Sequence, residues 1–372
     1  MRNPLDATAL NEALEDVHHA GVPGLFAEIR NSDETWRGAA GVADRTTGRP
    51  VSADMKHRIG SVTKTFTAAA VLQQAERGTI GLDTPIGAYL PHLVPGSRGE
   101  TITVRMLLNH TSGLAEYLPY VYTSLRAFPD LARTTPECFD EHRHTHFDRT
   151  DLIRLGVTAP AFGPPGGAPG LYSNTNYLLL AALLEHVTGI PAEDCITENV
   201  IRRAGLHDTE FPTGPHIDGP HSRLYESWFG KIDPPRDYSV FDMSYAGPSA
   251  NLTSTVADLN RFYAALLSGT IISPSSLTEM QQTTQVVSQE LSTIPYGLGL
   301  HPVESSGGQT FWGHGGTVWG GGTLALIRAD GQRQLALALN LQRWNTLDAS
   351  GRPEPHPIDK ALATFYDLAM NA

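Results

Sequence analysis

The strand-forming segments of this 372-residue chain stand near its two ends, and a long helix-forming stretch separates them. The predicted strands cover residues 25–29, 36–43, 311–312, 323–328 and 334–341. Strands with apolar faces must pair and pack to bury those faces, even when they lie far apart in the sequence. We therefore predict one sheet that is built from both ends of the chain.

Helices are predicted before, between and after these strands. They cover residues 6–19, 63–77, 104–109, 150–155, 177–188, 257–267 and 358–370. No internal repeat or low-complexity linker divides the chain. We expect a single domain over residues 1–372, with an α/β lobe at about 1–81 and 285–372 and an all-α lobe at about 82–284.

Charge and composition limit the kinds of partner. The formal net charge is −12 and no basic run occurs, so neither nucleic acid nor an anionic membrane surface is an expected partner. No apolar run approaches the roughly 20 residues that span a bilayer. The first 24 residues lack the apolar core of a secretion signal, which predicts a cytoplasmic protein.

Ser61 and Lys64 lie three residues apart at the start of the predicted helix 63–77. Residues at i and i+3 share a helix face, so the hydroxyl and the amine can meet. A lone Ser-x-x-Lys is usually an N-cap followed by an exposed charge. A capping box would carry Glu or Gln at the third position, however, and a cation in the first turn opposes the helix dipole. The pattern therefore favours a serine nucleophile with lysine as its base.

Tyr172 and Asn174 form a second candidate pair, between a glycine- and proline-rich loop and an apolar helix. A tyrosine close to a lysine ammonium ionises more easily and can relay a proton from a serine, while an asparagine can bind a substrate amide. Taken alone, the pair would more often be a loop tyrosine and a helix N-cap. The pair indicates a catalytic site only in combination with the other sequence elements.

The third element is the stretch Gly313-His314-Gly315-Gly316-Thr317, at the edge of a predicted strand. Its glycines would let a substrate backbone approach closely. A backbone N–H from this stretch and that of Ser61 could form an oxyanion hole. His314 alone would more often be a polar histidine of the core or the surface, so the order of the three elements carries the inference.

Together these elements resemble the family of class C β-lactamases and serine D-Ala-D-Ala carboxypeptidases, which are enzymes of the SxxK penicillin-binding-protein type. The resemblance rests on GSVTKTF (60–66), ITVRMLLNHTSGL (102–114), LYSNTNY (171–177), YGLGL (296–300) and GHGGTV (313–318). It extends over most of residues 10–345 and is greatest to the Streptomyces DD-peptidases. It implies an antiparallel sheet flanked by helices, an all-helical lobe, and an active site where the two lobes meet.

The resemblance also implies catalytic roles for five residues. Ser61 would be acylated, and Lys64 and Tyr172 would share its proton. Asn174 would position the substrate amide, and His314 would be the first residue of the strand motif His314-Gly315-Gly316. Neither a cofactor nor a metal ion belongs to this chemistry.

Four further residues would lie at the oxyanion hole or along the substrate: Thr317, Gly316, Gly315 and His301. Two of these depart from the related carboxypeptidases. Gly315 stands where His-Thr-Gly enzymes have threonine, and His301 stands where the DD-peptidase has an arginine suited to a carboxylate. We therefore predict a poor carboxypeptidase that acts better on esters or thioesters.

These inferences converge on a serine hydrolase or acyltransferase that forms an acyl-enzyme on Ser61. Its expected partner is a small peptide-like amide, ester or thioester of D configuration. One alternative is a thioesterase that macrocyclises a nonribosomal peptide held on a carrier protein. The non-enzyme alternative is a sensor or scaffold that a β-lactam acylates without turnover; the intact Lys64, Tyr172 and Asn174 argue against it.

The segment around residues 116–149 reads as an insertion after the NHTSGL motif. Its aromatic residues could shape specificity or could simply pack against one another. Four potential metal ligands occur in it: Cys138, His142, His144 and His146. They lack a recognised ligand spacing, so we do not expect a metal site.

Overall fold

Strands from both ends of the chain meet in the computed structural model, which describes residues 4–371. The strands are β1 (Gly24–Asn31), β2 (Glu34–Asp44), β3 (Arg49–Pro50), β4 (His57–Arg58), β5 (Gly170–Leu171), β6 (Tyr225–Glu226), β7 (Arg236–Asp237), β8 (Thr253–Ser254), β9 (Thr284–Val287), β10 (Thr293–Tyr296), β11 (His301–Glu304), β12 (Thr310–Val318), β13 (Gly321–Arg328), β14 (Arg333–Leu339) and β15 (Leu341–Gln342).

The helices match the predicted segments and add short ones between them. They are α1 (Ala7–His19), α2 (Thr63–Glu76), α3 (Gly96–Thr101), α4 (Val104–Leu108), α5 (Leu118–Val121), α6 (Glu137–Glu141), α7 (Arg149–Thr158), α8 (Asn174–Thr188), α9 (Ala192–Ile196), α10 (Val256–Leu267), α11 (Pro274–Met280) and α12 (Pro357–Asn371). No helix within residues 4–371 is long and apolar enough to cross a membrane.

The main sheet has seven antiparallel strands in the order β11-β12-β13-β14-β1-β2-β3. Its central contact joins β1, near the start of the chain, to β14, near its end, with Leu25 opposite Leu339. The predicted fold class, an antiparallel sheet flanked by helices beside a helical region, is thereby confirmed.

One face of this sheet is covered by α1 and α12. Alternate residues of β1, such as Leu25 and Ala27, pack there with Leu14 of α1 and Phe365 of α12 in one buried cluster. Because side chains alternate across a strand, the intervening Phe26 belongs to the cluster on the opposite face. This two-sided burial holds the strands in a single register.

The opposite face is covered by α2 and α10. Phe66 of α2 stacks on Phe262 of α10, with ring centroids 3.6 Å apart, and Asn260 of α10 donates to the backbone oxygen of Glu28 in β1. The contact places α10 on the sheet, although its range fell within the 82–284 assigned to the helical lobe. The division into two lobes of a single domain otherwise stays a prediction.

A small three-stranded sheet, in the order β10-β9-β5, ties the helical region to the last third of the chain. Tyr172 follows β5 directly, and its backbone N–H donates to Val287 of β9 at 3.0 Å. The sequence did not predict these strands. They fix the position of a candidate catalytic residue.

Candidate active site

Ser61 lies in a one-turn 3₁₀ segment, Gly60–Val62, that leads into α2 beside β12. Two glycines make this close approach possible. A Cβ on Gly60 would lie 2.6 Å from the Thr317 nitrogen, and one on Gly316 would lie 1.9 Å from the Ile59 oxygen. No side chain fits at either position, so the backbones of Ser61 and Thr317 can line the same space.

Lys64 makes three polar contacts from a fully buried position. Its Nζ lies 3.0 Å from Ser61 Oγ, and it donates to Asn174 Oδ1 at 2.7 Å and to the Ser249 backbone oxygen at 3.0 Å. The last two atoms can only accept. In a neutral amine they therefore take both N–H groups, which leaves the nitrogen lone pair directed at the Ser61 hydroxyl. This arrangement suits proton removal from the serine.

The protonation of Lys64 agrees with this geometry. Burial lowers the pKa of Lys64 to about 7, against the attraction of the Glu116 carboxylate, which raises it. A large fraction of the amine is therefore neutral near pH 7. The neutral base that the sequence pattern required is thus available without a further group to deprotonate it.

Glu116 is a contributor that sequence reasoning missed. Its Oε2 accepts from the backbone and side-chain nitrogens of Asn174, at 2.7 and 2.9 Å, and its Oε1 accepts from Leu118 N at 3.1 Å. The carboxylate thus satisfies the first N–H of α8 and orients the Asn174 amide, so that Oδ1 faces Lys64. Burial raises the pKa of Glu116, while these N–H donors lower it.

Tyr172 is buried beside Lys64, whose Nζ lies 4.9 Å from the tyrosine ring centroid. Its hydroxyl has no hydrogen-bond partner among the described residues. Burial raises the pKa of Tyr172 well above its ordinary value, and the neighbouring Ser61 hydroxyl offsets only part of this. The expectation that Tyr172 ionises easily was therefore wrong. A largely neutral Lys64 supplies little positive charge, and desolvation penalises the phenolate.

His110, from the NHTSGL motif, is a second residue whose position the sequence did not reveal. Its ring packs on Tyr172 with centroids 4.1 Å apart, and its Nδ1 faces two donors, Ser173 N at 3.3 Å and Asn176 Nδ2 at 3.1 Å. Nδ1 must therefore be the unprotonated nitrogen. Burial lowers the pKa of His110 well below its ordinary value. A neutral ring thus holds the Tyr172 side chain in place.

His314 lies on β12, beside the edge strand β11, but contacts neither Ser61 nor Lys64 by a described hydrogen bond. Its Nε2 pairs with the Tyr296 hydroxyl at 2.9 Å, and its Nδ1 pairs with the Gly315 backbone oxygen. Burial lowers the pKa of His314 well below its ordinary value, and His301 and Lys64 lower it further. The geometry favours a neutral residue that supports the strand motif.

A cleft of about 250 Å³ opens beside Ser61 and Tyr172. Of the described residues that line it, none is arginine or lysine, and Glu290 alone carries a carboxylate. His301 lines it too, stacked on Tyr296, and burial lowers the pKa of this histidine below its ordinary value. The cleft therefore offers no fixed positive charge to a substrate carboxylate.

Two aromatic residues of the insertion pack inward, whereas Phe128 is exposed. Tyr122 and Phe139 are fully buried and contact Trp319, with ring centroids 5.5 and 4.1 Å apart. Trp319 stands two residues beyond Thr317, so these side chains support the end of β12. Within residues 4–371, no group of three or more His, Cys, Asp or Glu side chains is arranged to hold a metal ion.

The chain matches the family described as beta-lactamase over residues 10–356, which is most of its length. The chain belongs to the beta-lactamase family. This hydrolase family includes the enzymes that the sequence motifs resemble, so the predicted recognition is confirmed. The serine hydrolase class follows from the same match.

This beta-lactamase-family hydrolase is similar to two curated relatives and to one solved structure. Penicillin-binding protein 4* of Bacillus subtilis (strain 168) is 25% identical over 91% of the chain and 71% of its own length. Esterase EstB of Burkholderia gladioli is 31% identical over 56% of the chain and 50% of its own length. The structure of a D-stereospecific amidohydrolase from Streptomyces sp. has 36% identity and a TM-score of 0.80, and it covers 91% of this chain and 95% of its own.

Proposed function

We propose that the protein hydrolyses amide and ester bonds of small D-configured amino-acid or peptide substrates through an acyl-enzyme on Ser61. The observation that carries the proposal is the similarity to the Streptomyces D-stereospecific amidohydrolase, at 36% identity over nearly the full length of both chains. The similarity to esterase EstB supports esters as a second substrate type.

In the proposed mechanism, neutral Lys64 takes the Ser61 proton as Oγ attacks the substrate carbonyl carbon. The backbone N–H groups of Ser61 and Thr317 bind the oxyanion. Gly60 and Gly316 allow these two backbone segments to lie close together, because a side chain at either position would clash. Tyr172, protonated in the free enzyme, donates its proton to the leaving group and recovers one from Lys64. Water then attacks the acyl-enzyme by the reverse route.

The charge of the cleft supports a neutral end group on the substrate. Glu290 is the carboxylate among the described lining residues, and His301 is uncharged near neutral pH because burial lowers its pKa. A free C-terminal carboxylate would enter this cleft without a cationic partner, which costs on the order of 1.5–3 kcal/mol for each missing charged hydrogen bond. We therefore propose amides and esters rather than peptide acids.

The test incubates the protein with matched D- and L-amino-acid amides and esters and follows both product release and intact mass. We expect hydrolysis of the D series, a covalent adduct on Ser61 with slow substrates, and neither with Ser61→Ala. A preference for the L series, or turnover that persists in Ser61→Ala, would contradict the proposal.

Two finer predictions remain open to experiment. A carrier-bound peptide as acyl donor predicts transfer from a peptidyl thioester to an internal amine, measured as a cyclic product. A cytoplasmic location, which we also propose, predicts recovery in the cytoplasmic fraction of the source cells.

A further inference from the structure

Gly315 differs from the glycines on either side of it. A Cβ on Gly313 would lie 2.0 Å from the Ala325 oxygen, and one on Gly316 would lie 1.9 Å from the Ile59 oxygen. A Cβ on Gly315 would meet nothing nearer than 3.9 Å, and its φ is not in the left-handed region. Glycine weakens a strand interior, where β-branched residues are favoured. Backbone geometry therefore does not account for this glycine.

The space in front of Gly315 belongs to the catalytic cleft. Gly315 pairs with Leu324, which pairs with Leu337, so all three lie on the face of the sheet that α12 covers. The cleft that begins at Ser61 continues over this face to an apolar pocket. We define the apolar pocket by the residues Leu324, Leu337, Leu339, Trp344, Leu362 and Tyr366.

We propose that the apolar pocket is a substrate subsite for an aryl or branched alkyl group. The missing side chain at Gly315 leaves space for this group to reach the pocket while the substrate reacts with Ser61. The inference rests on the proposed function, because the group must be attached to the substrate that acylates Ser61. The whole cleft, which includes the space beside Ser61, measures about 250 Å³. An apolar cavity of about 150 Å³ holds a benzene molecule, so the cleft has room for one such group. Gly315 lines this cleft together with Ser61, and a side chain there would extend on the sheet face where the apolar pocket lies.

The first experiment measures kcat/KM for D-alaninamide, D-phenylalaninamide and D-alanine benzylamide. The second substrate carries its ring on the acyl side and the third on the leaving side, so the pair identifies which side occupies the pocket. In Gly315→Val we expect the selectivity for one ring-bearing substrate over D-alaninamide to fall at least tenfold. That factor is about 1.4 kcal/mol, within the range for excluding a hydrophobic group from its pocket.

Gly163→Val is the matched control. A Cβ on Gly163 would meet no atom within 4 Å, its φ is not left-handed, and it does not line the cleft. This variant should keep the wild-type selectivity. Gly315→Ala, with a smaller side chain, should give an intermediate loss and serves if the valine variant folds poorly. Equal losses on all three substrates, or unchanged selectivity for both ring-bearing ones, would overturn the proposal.

A second readout does not depend on amide hydrolysis. Boronic acids bind a catalytic serine reversibly, and a simple one can direct its substituent to either side of the site. We expect benzylboronic acid to protect Ser61 from a fluorophosphonate probe at a concentration at least tenfold below that of methylboronic acid, and Gly315→Val to remove this preference. Such a result without D-amide turnover would retain the subsite and refute the proposed function. D-amide turnover without any ring preference in either assay would do the reverse.

Discussion

Replacing Lys64 by methionine should change how the stability of the protein depends on pH. The pKa of Lys64 is lowered from 10.5 to about 7 in the folded protein. Between these values the unfolded chain binds a proton that the folded protein does not, so wild-type stability rises with pH across this window. The full difference between the two pKa values corresponds to about 5 kcal/mol of stability, which is present above pH 10.5 and is lost as the pH falls to about 7.

Between pH 7 and pH 9 the wild type should gain about 2 kcal/mol relative to Lys64→Met, because each pH unit above the folded pKa of about 7 adds about 1.4 kcal/mol and the amine is already half neutral at pH 7. Methionine also leaves Asn174 Oδ1 and the Ser249 oxygen unpaired. That cost, about 1–3 kcal/mol for each group, does not vary with pH and cancels in the comparison.

The assay is reversible urea unfolding of both proteins at several pH values from 7 to 9. Lys360→Met makes the same chemical change at an exposed position of α12, so its stability curve should run parallel to that of the wild type. A stability difference between wild type and Lys64→Met that stays flat from pH 7 to pH 9 would refute a neutral buried amine, and with it the assignment of Lys64 as base.

Three further outcomes follow from the same geometry. In Glu116→Gln the pKa of Lys64 loses the carboxylate that raises it, so the acid limb of kcat/KM should move to lower pH; an unmoved limb would contradict this. Tyr172→Phe should lower kcat about 10²–10⁴-fold with little change in KM, yet leave urea stability almost unchanged because the hydroxyl has no partner among the described residues; a marked loss of stability would indicate a structural role. His301→Arg should improve kcat/KM for a D-Ala-D-Ala peptide acid about tenfold to hundredfold relative to the matched thioester, and equal effects on both substrates would argue against carboxylate recognition.

The long elements were predictable from local pattern, whereas the small sheet beside the site was not. Helix 6–19 and the strands of the first hairpin have apolar residues at one clear period, and both were found within a residue or two. β5 has two residues, and β10 has four with a proline at its third position. Strands this short carry no periodicity, and β5 pairs with β9, a segment more than 100 residues further along the chain. Their existence depends on tertiary contacts that the sequence does not display locally.

The start of α8 illustrates a different limit. Apolar periodicity predicts a helix from residue 177, but the helix begins at Asn174. The extra turn contains Asn174, Thr175 and Asn176, which are polar and buried. Buried polar partners satisfy these side chains, for example Glu116 for Asn174 and His110 for Asn176. A hydrophobic pattern cannot detect a helical turn whose buried face is polar.

The chemistry of Lys64 depends on two acceptors, of which one, the Ser249 backbone oxygen, belongs to no motif. Ser61 and Lys64 are visible as a spaced pair, but Asn174 Oδ1 and the Ser249 oxygen come from 110 and 185 residues away. The second is a backbone carbonyl, which any residue type supplies, so residue identity cannot reveal it. Without both acceptors, the amine could rotate and its lone pair would have no fixed direction. The sequence therefore identifies which groups react, while the fold determines the direction in which the proton moves.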